Sequence, residues 1–321
     1  MISVLCGGVG AARFLRALAL VFDPGDTEAV INTGDDTVMH GLTICPDLDT
    51  ITYTLADEID PVRGWGLAGE SWNAMAALAR FDSVKPSGSG AAPTWFNLGD
   101  RDLATHMYRT ARLAEGASLS VTSGEIAQAF GVVQQLLPMS DQPVSTMVTL
   151  AADHAEVSFQ EYFVKRQHAV AVESVRFRGA ETARLTEQAA HSLRTATVVV
   201  IAPSNPLVSI APIRSLAGVD QILADRRSSV VAISPIVGGA ALKGPADRML
   251  TELGYEPTVV GVATLYASVA EALVIDPLDA HLAPDIVRAG MRPVIVPSVM
   301  SSPAISAQLA RVAVAAGGMS I

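Results

Sequence analysis

The chain opens with Ile2-Ser3-Val4-Leu5-Cys6-Gly7-Gly8-Val9-Gly10, a short apolar run that ends in a glycine-rich turn. From Ala11 to Val21, apolar residues then recur at the spacing of one buried helix face. Strand, glycine turn and helix in this order are the opening unit of a nucleotide-binding α/β fold. Glycines let the backbone approach a diphosphate, and the N–H groups and dipole at the helix start favour its negative charge.

The glycine turn alone leaves its ligand open. The dinucleotide fingerprint requires a third glycine where this chain has Arg13, and the Walker lysine and hydroxyl pattern is absent. A tight turn without a ligand is therefore the structural alternative.

A second strand-like run, Ala29-Val30-Ile31, leads into an acidic loop that extends to Thr50. Glycines and Pro46 interrupt this loop, so its four aspartates cannot lie in a continuous helix or a buried strand without a large cost for unpaired charge. They need a cation or a polar ligand. The carboxyl end of a strand is also where open α/β sheets bind ligands.

A diphosphate loop beside a carboxylate cluster predicts a nucleotide diphosphate held through Mg²⁺. This ion takes one or two protein carboxylates and completes its octahedron with phosphate oxygens and water. We expect Asp35 and Asp47 as its ligands, because each follows a loop break and can turn inward. Asp49 would then be free to act as the general base, or as the hydrogen-bond acceptor, for an attacking hydroxyl. Capping of a helix that begins near Asp47 is the alternative, and it explains one or two carboxylates but not all of them.

After residue 195, short apolar runs alternate with helical patterns, which predicts a parallel sheet with right-handed crossovers. Together with the opening unit, this rhythm predicts a Rossmann-like three-layer α/β fold with a mostly parallel sheet. The loops after Cys6, Asn32, Ala202 and Ser234 should open on one edge of that sheet. The predicted strands of this half are Thr197–Ile201, Val230–Ile233, Thr258–Val262, Ala272–Ile275 and Val294–Val296.

The middle of the chain has a different character, with β-rich runs at Ser145–Leu150 and Ala169–Val172. Between them, Phe159–Arg166 clusters aromatic residues with two cations, either as a packed strand or as a platform for a flat ring or a second subunit. Asp100 or Asp102 could cap the helix that follows them. We expect a single domain with a nucleotide-binding core over about 1–60 and 190–321, and an inserted smaller α+β region, for acceptor binding or oligomerisation, over about 61–189.

Composition excludes several classes of partner. The 321 residues carry a formal charge of −10, with 32 acidic and 22 basic side chains, which argues against binding nucleic acid through its phosphates. The two cysteines form no disulfide framework, which fits a reducing cytosol. No apolar run reaches about 18 residues, and the N-terminus has no basic region before its apolar residues. We therefore expect a cytoplasmic protein without a membrane partner.

Nine blocks, in order and nearly end to end, resemble the 2-phospho-L-lactate transferase family, named CofD in archaea and FbiA in actinobacteria. These blocks are residues 7–13, 32–36, 45–50, 64–66, 98–106, 137–141, 159–161, 203–206 and 234–236.

The resemblance implies a transferase of coenzyme F(420) biosynthesis. In this family the terminal ribityl hydroxyl of the deazaflavin Fo attacks the phosphate that bears a three-carbon acid in a guanosine diphosphate adduct. GMP leaves and a phosphodiester forms. Phospholactate, phosphoenolpyruvate and phosphoglycerate are the candidate acids, and the actinobacterial-looking glycine loop favours phosphoenolpyruvate. Family members are usually homodimers, which implies the same for this chain.

By position, the resemblance implies that Asp35 and Asp47 bind Mg²⁺ and that Asp49 and Asn97 contact Fo. Family members carry lysine or other residues where Asn97 stands. The implied guanosine-nucleotide site comprises Gly7, Gly8, Val9, Gly10, Ala11, Arg13, Ser204, Asn205 and Ser234.

Two rival interpretations use the same residues. An NAD(P)-binding oxidoreductase would place Asp35 or Asp36 on a ribose, but it does not explain Asp47 and Asp49. A non-enzymatic nucleotide-sugar-binding regulator, of the type of the gluconeogenesis factor, lacks counterparts for residues 98–106 and 159–161.

Overall fold

A computed structural model gives the structure of residues 1–242 and 244–320. The strands are β1 (Ile2–Cys6), β2 (Thr27–Ile31), β3 (Thr37–Met39), β4 (Leu42–Ile44), β5 (Gln135–Pro138), β6 (Ser145–Leu150), β7 (Glu156–Ser158), β8 (Val172–Arg178), β9 (Val198–Ile201), β10 (Val230–Ile233), β11 (Ile236–Val237), β12 (Ala240–Ala241), β13 (Ala272–Ile275) and β14 (Arg292–Ile295). The helices are α1 (Gly8–Leu18), α2 (Pro46–Leu55), α3 (Asn73–Leu78), α4 (Asp102–Ala114), α5 (Leu119–Ala129), α6 (Glu187–Thr195), α7 (Ala211–Arg214), α8 (Val219–Asp225), α9 (Ala246–Glu252), α10 (Val259–Tyr266), α11 (Ala283–Arg288) and α12 (Pro303–Ala316).

The central sheet has seven strands in the order β14-β13-β10-β9-β1-β2-β5, and every ladder in it is parallel. The chain runs outward from β1 through β2 to β5, and then returns to the other side of β1 with β9. The strand order therefore reverses between β1 and β9, which is where doubly wound sheets open a ligand crevice. The predicted Rossmann-like fold with a mostly parallel sheet is confirmed.

Helices cover both faces of this sheet, because successive strand residues enter two separate cores. Val4 and Cys6 pack in one core with α1 and α12, whereas Leu5 packs in the other core with α6, α8 and α10. Burial on both faces explains why the strands read as continuous apolar runs instead of an alternating pattern.

Residues between 61 and 189 form a smaller antiparallel sheet in the order β7-β6-β8, and also supply β5 to the edge of the central sheet. The predicted division into a core and an inserted region stays a prediction. The expected strand Ala169–Val172 is wrong, because β8 begins only at Val172. The strand alternative for Phe159–Arg166 is also wrong, since Glu161–Lys165 forms a π-helical turn.

The expected strand Thr258–Val262 is wrong as well, because α10 occupies this stretch. The Thr258 hydroxyl caps this helix by accepting a hydrogen bond from the backbone N–H of Val260. Periodicity does not separate a short, fully buried helix from a buried strand when both are continuous apolar runs.

Within the described ranges, no single helix is long and apolar enough to cross a membrane, although Pro206–Arg214 and Val219–Asp225 together pass that test as a pair bent by 90°.

Candidate functional site

A cavity of about 950 Å³ lies at the carboxyl edge of the sheet, over the point where the strand order reverses. All the predicted site residues except Ala11 line it. Ala11 is fully buried in the core beneath the glycine turn. The cavity wall includes Gly7, Gly8, Val9, Gly10, Arg13, Asp35, Asp47, Asp49, Asn97, Ser204, Asn205 and Ser234.

The glycine turn packs closely against its neighbours. Gly8 has a φ of +34°, and a Cβ added there would lie 3.3 Å from Asp47 Oδ1. A Cβ on Gly10 would meet the carbonyl oxygen of Pro203, in the loop after β9. Glycine is therefore required here for close backbone packing, and the same packing brings the start of α1 to the cavity.

Short polar side chains fix the loops after β9 and β10. The Ser204 hydroxyl donates to the carbonyl oxygen of Gly7 at 2.8 Å, which ties this loop to the glycine turn. Asn205 accepts from the backbone N–H of Leu207, and the Ser234 hydroxyl donates to the carbonyl of Ile236. These bonds hold both loops at the rim of the cavity.

Asp35 and Asp47 are a pair of buried carboxylates, 6% and 7% exposed. Burial raises the pKa of Asp35 well above its ordinary value, and the negative charge of Asp47 raises it further. Burial also raises the pKa of Asp47, to about 6, although the hydrogen bond from Asn32 acts in the opposite direction. The Asn32 amide donates to Asp47 Oδ2 at 2.9 Å, so Asn32 connects the end of β2 with the start of α2.

This pair fits a divalent cation. Among the residues that the structure describes, Asp35 Oδ1 is buried without a hydrogen-bond partner, and two mutually repelling carboxylates line the wall of a ligand-sized cavity. A cation between them would compensate the charge that burial disfavours. Asp36, in contrast, does not line the cavity, and its pKa is raised mainly by burial.

A second group of possible metal ligands, Asp49, Asp102 and His106, has donor atoms within 4.8 Å of one another. Arg109 already occupies this group: its guanidinium donates to Asp49 Oδ2 at 3.2 Å and also contacts Oδ1. Because a buried cation is already present in this second group, a metal at Asp35 and Asp47 stays our prediction.

Asp49 lies in the first turn of α2 and is 5% exposed. Its position two residues after Asp47 turns it by roughly 200° around the helix axis. Asp47 therefore faces the glycine turn, whereas Asp49 faces α4. The alternative that these aspartates cap α2 is not supported. The N-cap residue of α2 is Cys45, and among the described residues no side-chain hydrogen bond caps the helix there.

A polar seam between α2 and α4, formed by Asp49, Tyr53, Asp102, His106 and Arg109, was not predicted from the sequence. His106 and Arg109 were given no role, although each is only 1% exposed. Their spacing from Asp102 is i+4 and i+7, which places all three on one face of α4. Ionisable residues at the spacing of a buried helix face were the available signal.

Asp100 and Asp102 do not act as caps of their own helix. The Asp100 carboxylate accepts from the backbone N–H groups of Asn73 and Ala74, at the start of α3. The start of α4 is capped instead by Glu70, which accepts from the N–H groups of Arg101 and Asp102. Asp100, which precedes α4, thus caps α3, and Glu70, which precedes α3, caps α4. These two carboxylates connect the start of α3 with the start of α4.

Aromatic side chains form one wall of the cavity. Phe159 and Phe163 stack with their centroids 5.4 Å apart, and both line the cavity. Trp95 and Phe96 lie next to Asn97 on the wall and meet edge to face. The wall is therefore suited to a flat ring.

Comparison with known proteins shows what the chain as a whole is similar to. A family model described as 2-phospho-L-lactate transferase CofD matches residues 2–296. A phosphoenolpyruvate transferase from Kitasatospora aureofaciens is 38% identical over 98% of this chain and 97% of its own length. A phosphoenolpyruvate transferase from Mycolicibacterium smegmatis is 35% identical, over 100% and 99% of the two chains.

Among solved structures, a member of the UPF0052 family from Bacillus halodurans superimposes with a TM-score of 0.60. It covers 97% of this chain and 98% of its own, at 12% identity, so this likeness concerns the fold alone. The family match and the relatives decide the class of the protein: the chain belongs to the CofD family of 2-phospho-L-lactate transferases and is a transferase enzyme.

Proposed function

We propose that this protein transfers a phosphorylated three-carbon acid from a guanosine diphosphate adduct to the terminal ribityl hydroxyl of the deazaflavin Fo. GMP leaves, and the product is a phosphodiester intermediate of coenzyme F(420) biosynthesis. The observation that supports this most strongly is the common cavity, where the glycine turn, the buried Asp35–Asp47 pair and Asp49 meet beside an aromatic wall.

The glycine turn and the serine-containing loops would bind the guanosine nucleotide. Arg13, which is exposed at the cavity wall, offers a cation for the phosphates of the donor. The N–H groups at the start of α1 add a favourable partial charge for the same phosphates.

Asp35 and Asp47 would hold Mg²⁺. When bound, this ion would screen the charge that accumulates on the diphosphate as the bond to GMP breaks. The chain's own contribution is to keep two carboxylates on one side of the cavity, with Asn32 fixing the orientation of Asp47.

Asp49 would accept the hydrogen bond, and then the proton, of the attacking hydroxyl. The hydroxyl oxygen forms a bond to the phosphorus that carries the three-carbon acid. The bond from this phosphorus to the oxygen of the GMP phosphate breaks, and GMP takes the electron pair. Asn97 and the aromatic wall would orient Fo, since both line the same cavity.

Phosphoenolpyruvate is the three-carbon acid that we propose for the donor. Relatives at 35–38% identity are named phosphoenolpyruvate transferases, and they align over nearly the whole chain. The experiment incubates the protein with Fo, Mg²⁺ and each guanosine diphosphate adduct in turn, followed by mass spectrometry of the products. Equal turnover of the phospholactate adduct would reject this choice of donor.

A homodimer in the cytoplasm remains our prediction for the assembly and its location. Light scattering coupled to gel filtration measures the first, and twice the monomer mass of 33.4 kDa is the expected result.

A further inference from the structure

Five buried side chains form the polar seam, a continuous chain of contacts that connects α2 with α4 at the cavity wall. Asp49 and Tyr53 lie four residues apart on α2, and they face Asp102, His106 and Arg109 on α4.

The contacts run from one end of this chain to the other. The Tyr53 hydroxyl donates to Asp102 Oδ1 at 2.6 Å. Asp102 Oδ2 lies 3.3 Å from Nε2 of His106. Nδ1 of His106 in turn lies 3.3 Å from Nη1 of Arg109. Since a guanidinium only donates, Nδ1 of His106 is the acceptor in its contact with Arg109.

Arg109 is the member of the chain that touches Asp49, and its guanidinium faces both carboxylate oxygens. It also donates to the backbone carbonyl of Thr43, in β4. Asp49, Tyr53, Asp102 and His106 line the cavity, whereas Arg109 does not. Arg109 therefore holds Asp49 from the side opposite the cavity.

A purely structural junction between two helices would not require this composition. Well-packed apolar residues of similar volume are often as stabilising as a buried ion pair, or more so, because both charges must leave water. A buried guanidinium that fixes the direction of one cavity-lining carboxylate is instead typical of the residues that support a catalytic group.

We propose that Arg109 is a positioning residue for the part of the site that would bind Fo: it orients Asp49 towards the attacking hydroxyl. His106, Asp102 and Tyr53 in turn hold Arg109 in place through the contacts described above. This inference rests on the proposed function, in which Asp49 receives the hydroxyl of Fo. The Arg109 fork occupies one acceptor position on each oxygen of Asp49, and the carboxylate, which lines the cavity, keeps acceptor positions for a bond from the substrate.

The test compares Arg109→Lys, Arg109→Gln and Arg109→Ala with the wild-type enzyme in steady-state transfer to Fo. Lysine keeps the charge but loses the two-pronged geometry, so it should retain the fold while misplacing Asp49. We expect kcat to fall about 10–100-fold in Arg109→Lys, as is usual when a supporting residue of a functional group is lost. Mg²⁺-dependent GDP binding, measured by calorimetry, should stay within about twofold of wild type in the same variant.

Two further measurements separate positioning from stability alone. Guanidinium ion at millimolar concentration should restore part of kcat in Arg109→Ala, because it can occupy the space that the side chain leaves. Arg112→Lys is the matched control: Arg112 lies one turn further along α4, pairs with Glu115 and Glu125, and should keep wild-type kcat.

Unchanged kcat and unchanged KM for Fo in folded Arg109→Lys and Arg109→Gln would overturn the inference. An equal loss of donor affinity would also overturn it, since Arg109 would then act on the nucleotide half of the site. Failure of the wild-type enzyme to transfer to Fo would instead contradict the proposed function, so the two failures are distinguishable.

Discussion

The guanidinium of Arg109 and the carboxylate of Asp49 form a buried two-pronged ion pair between α4 and α2. This pair fixes the first turn of α2, the element that also carries Asp47. The start of α2 thus presents Asp47 to the proposed metal position on one side, and Asp49, which Arg109 holds, on the other.

Replacement of Asp49 by Asn should reduce turnover by about 10²–10⁴-fold, because the amide cannot accept the proton of the hydroxyl. Mg²⁺-dependent nucleotide binding should change little. The free energy of unfolding of this variant should also be lower, by up to about 3–5 kcal/mol, because the charge of Arg109 is left unpaired. Steady-state kinetics and urea unfolding measure the two effects. Asp57→Asn, at an exposed position, is the control, and near-normal turnover of Asp49→Asn would remove Asp49 from the role of base.

Replacement of Asp47 by Ala should have a different result. Loss of this carboxylate removes one of the two proposed Mg²⁺ ligands, so calorimetry should show weakened GDP binding in the presence of Mg²⁺. GDP binding without Mg²⁺ should change much less. If Asp47→Ala and Asp49→Asn lose the same function, the division of roles between these two residues is wrong.

These roles could be read from the sequence only in part. The acidic loop is recognisable because carboxylates interrupted by glycine cannot be buried without compensation. The convergence of Gly7, Asp35, Ser204 and Ser234 also follows from the sequence, since parallel strands end at one edge of their sheet. The partner of Asp49 could not be found in this way, because Arg109 lies 60 residues further along the chain.

The stability of the metal-free protein should depend on pH through the Asp35–Asp47 pair. Both pKa values are raised in the folded state, that of Asp47 from 3.8 to about 6. The sign follows from linkage: the contribution of these groups to stability is fully present below their ordinary pKa and is lost as the pH rises through the folded pKa. We therefore expect wild type to lose stability relative to Asp47→Asn as the pH rises from about 4 to about 7. The measured quantity is the difference between their free energies of unfolding.

Urea unfolding at several pH values, with a chelator present, measures this difference. Saturating Mg²⁺ should abolish the loss at pH 7, because the cation binds the deprotonated pair. A difference that is independent of pH in the metal-free protein would contradict the burial and repulsion on which the metal position rests.

Replacement of Gly10 by Ala should damage the nucleotide half of the site. The new methyl group would meet the carbonyl oxygen of Pro203, so the glycine turn and the loop after β9 must move apart. We expect weaker GDP binding and a lower melting temperature, measured by calorimetry and thermal unfolding. Gly124→Ala is the matched control in α5: open space surrounds its Cβ position, and the helix should gain up to about 1 kcal/mol. Wild-type GDP affinity in Gly10→Ala would exclude this packing as a requirement for binding.

The wrong strand prediction at Thr258–Val262 arises because a short apolar run fits a buried helix as well as a buried strand. Thr258–Val262 and Val230–Ile233 are both short apolar runs, yet the first is helical and the second is a central strand. Tertiary packing decides between the two outcomes, since each can bury the same side chains. The aromatic cluster at Phe159 was ambiguous for a related reason: composition shows that the rings are there but does not show which surface they face.

The most direct test of the central claim is mass spectrometry of a reaction that contains the protein, Fo, Mg²⁺ and the guanosine diphosphate adduct of phosphoenolpyruvate. We predict GMP and a new phosphodiester of Fo in equal amounts, with no product when Mg²⁺ is removed by a chelator. GMP formation without any modified Fo, or binding of NADH in place of turnover, would contradict the account.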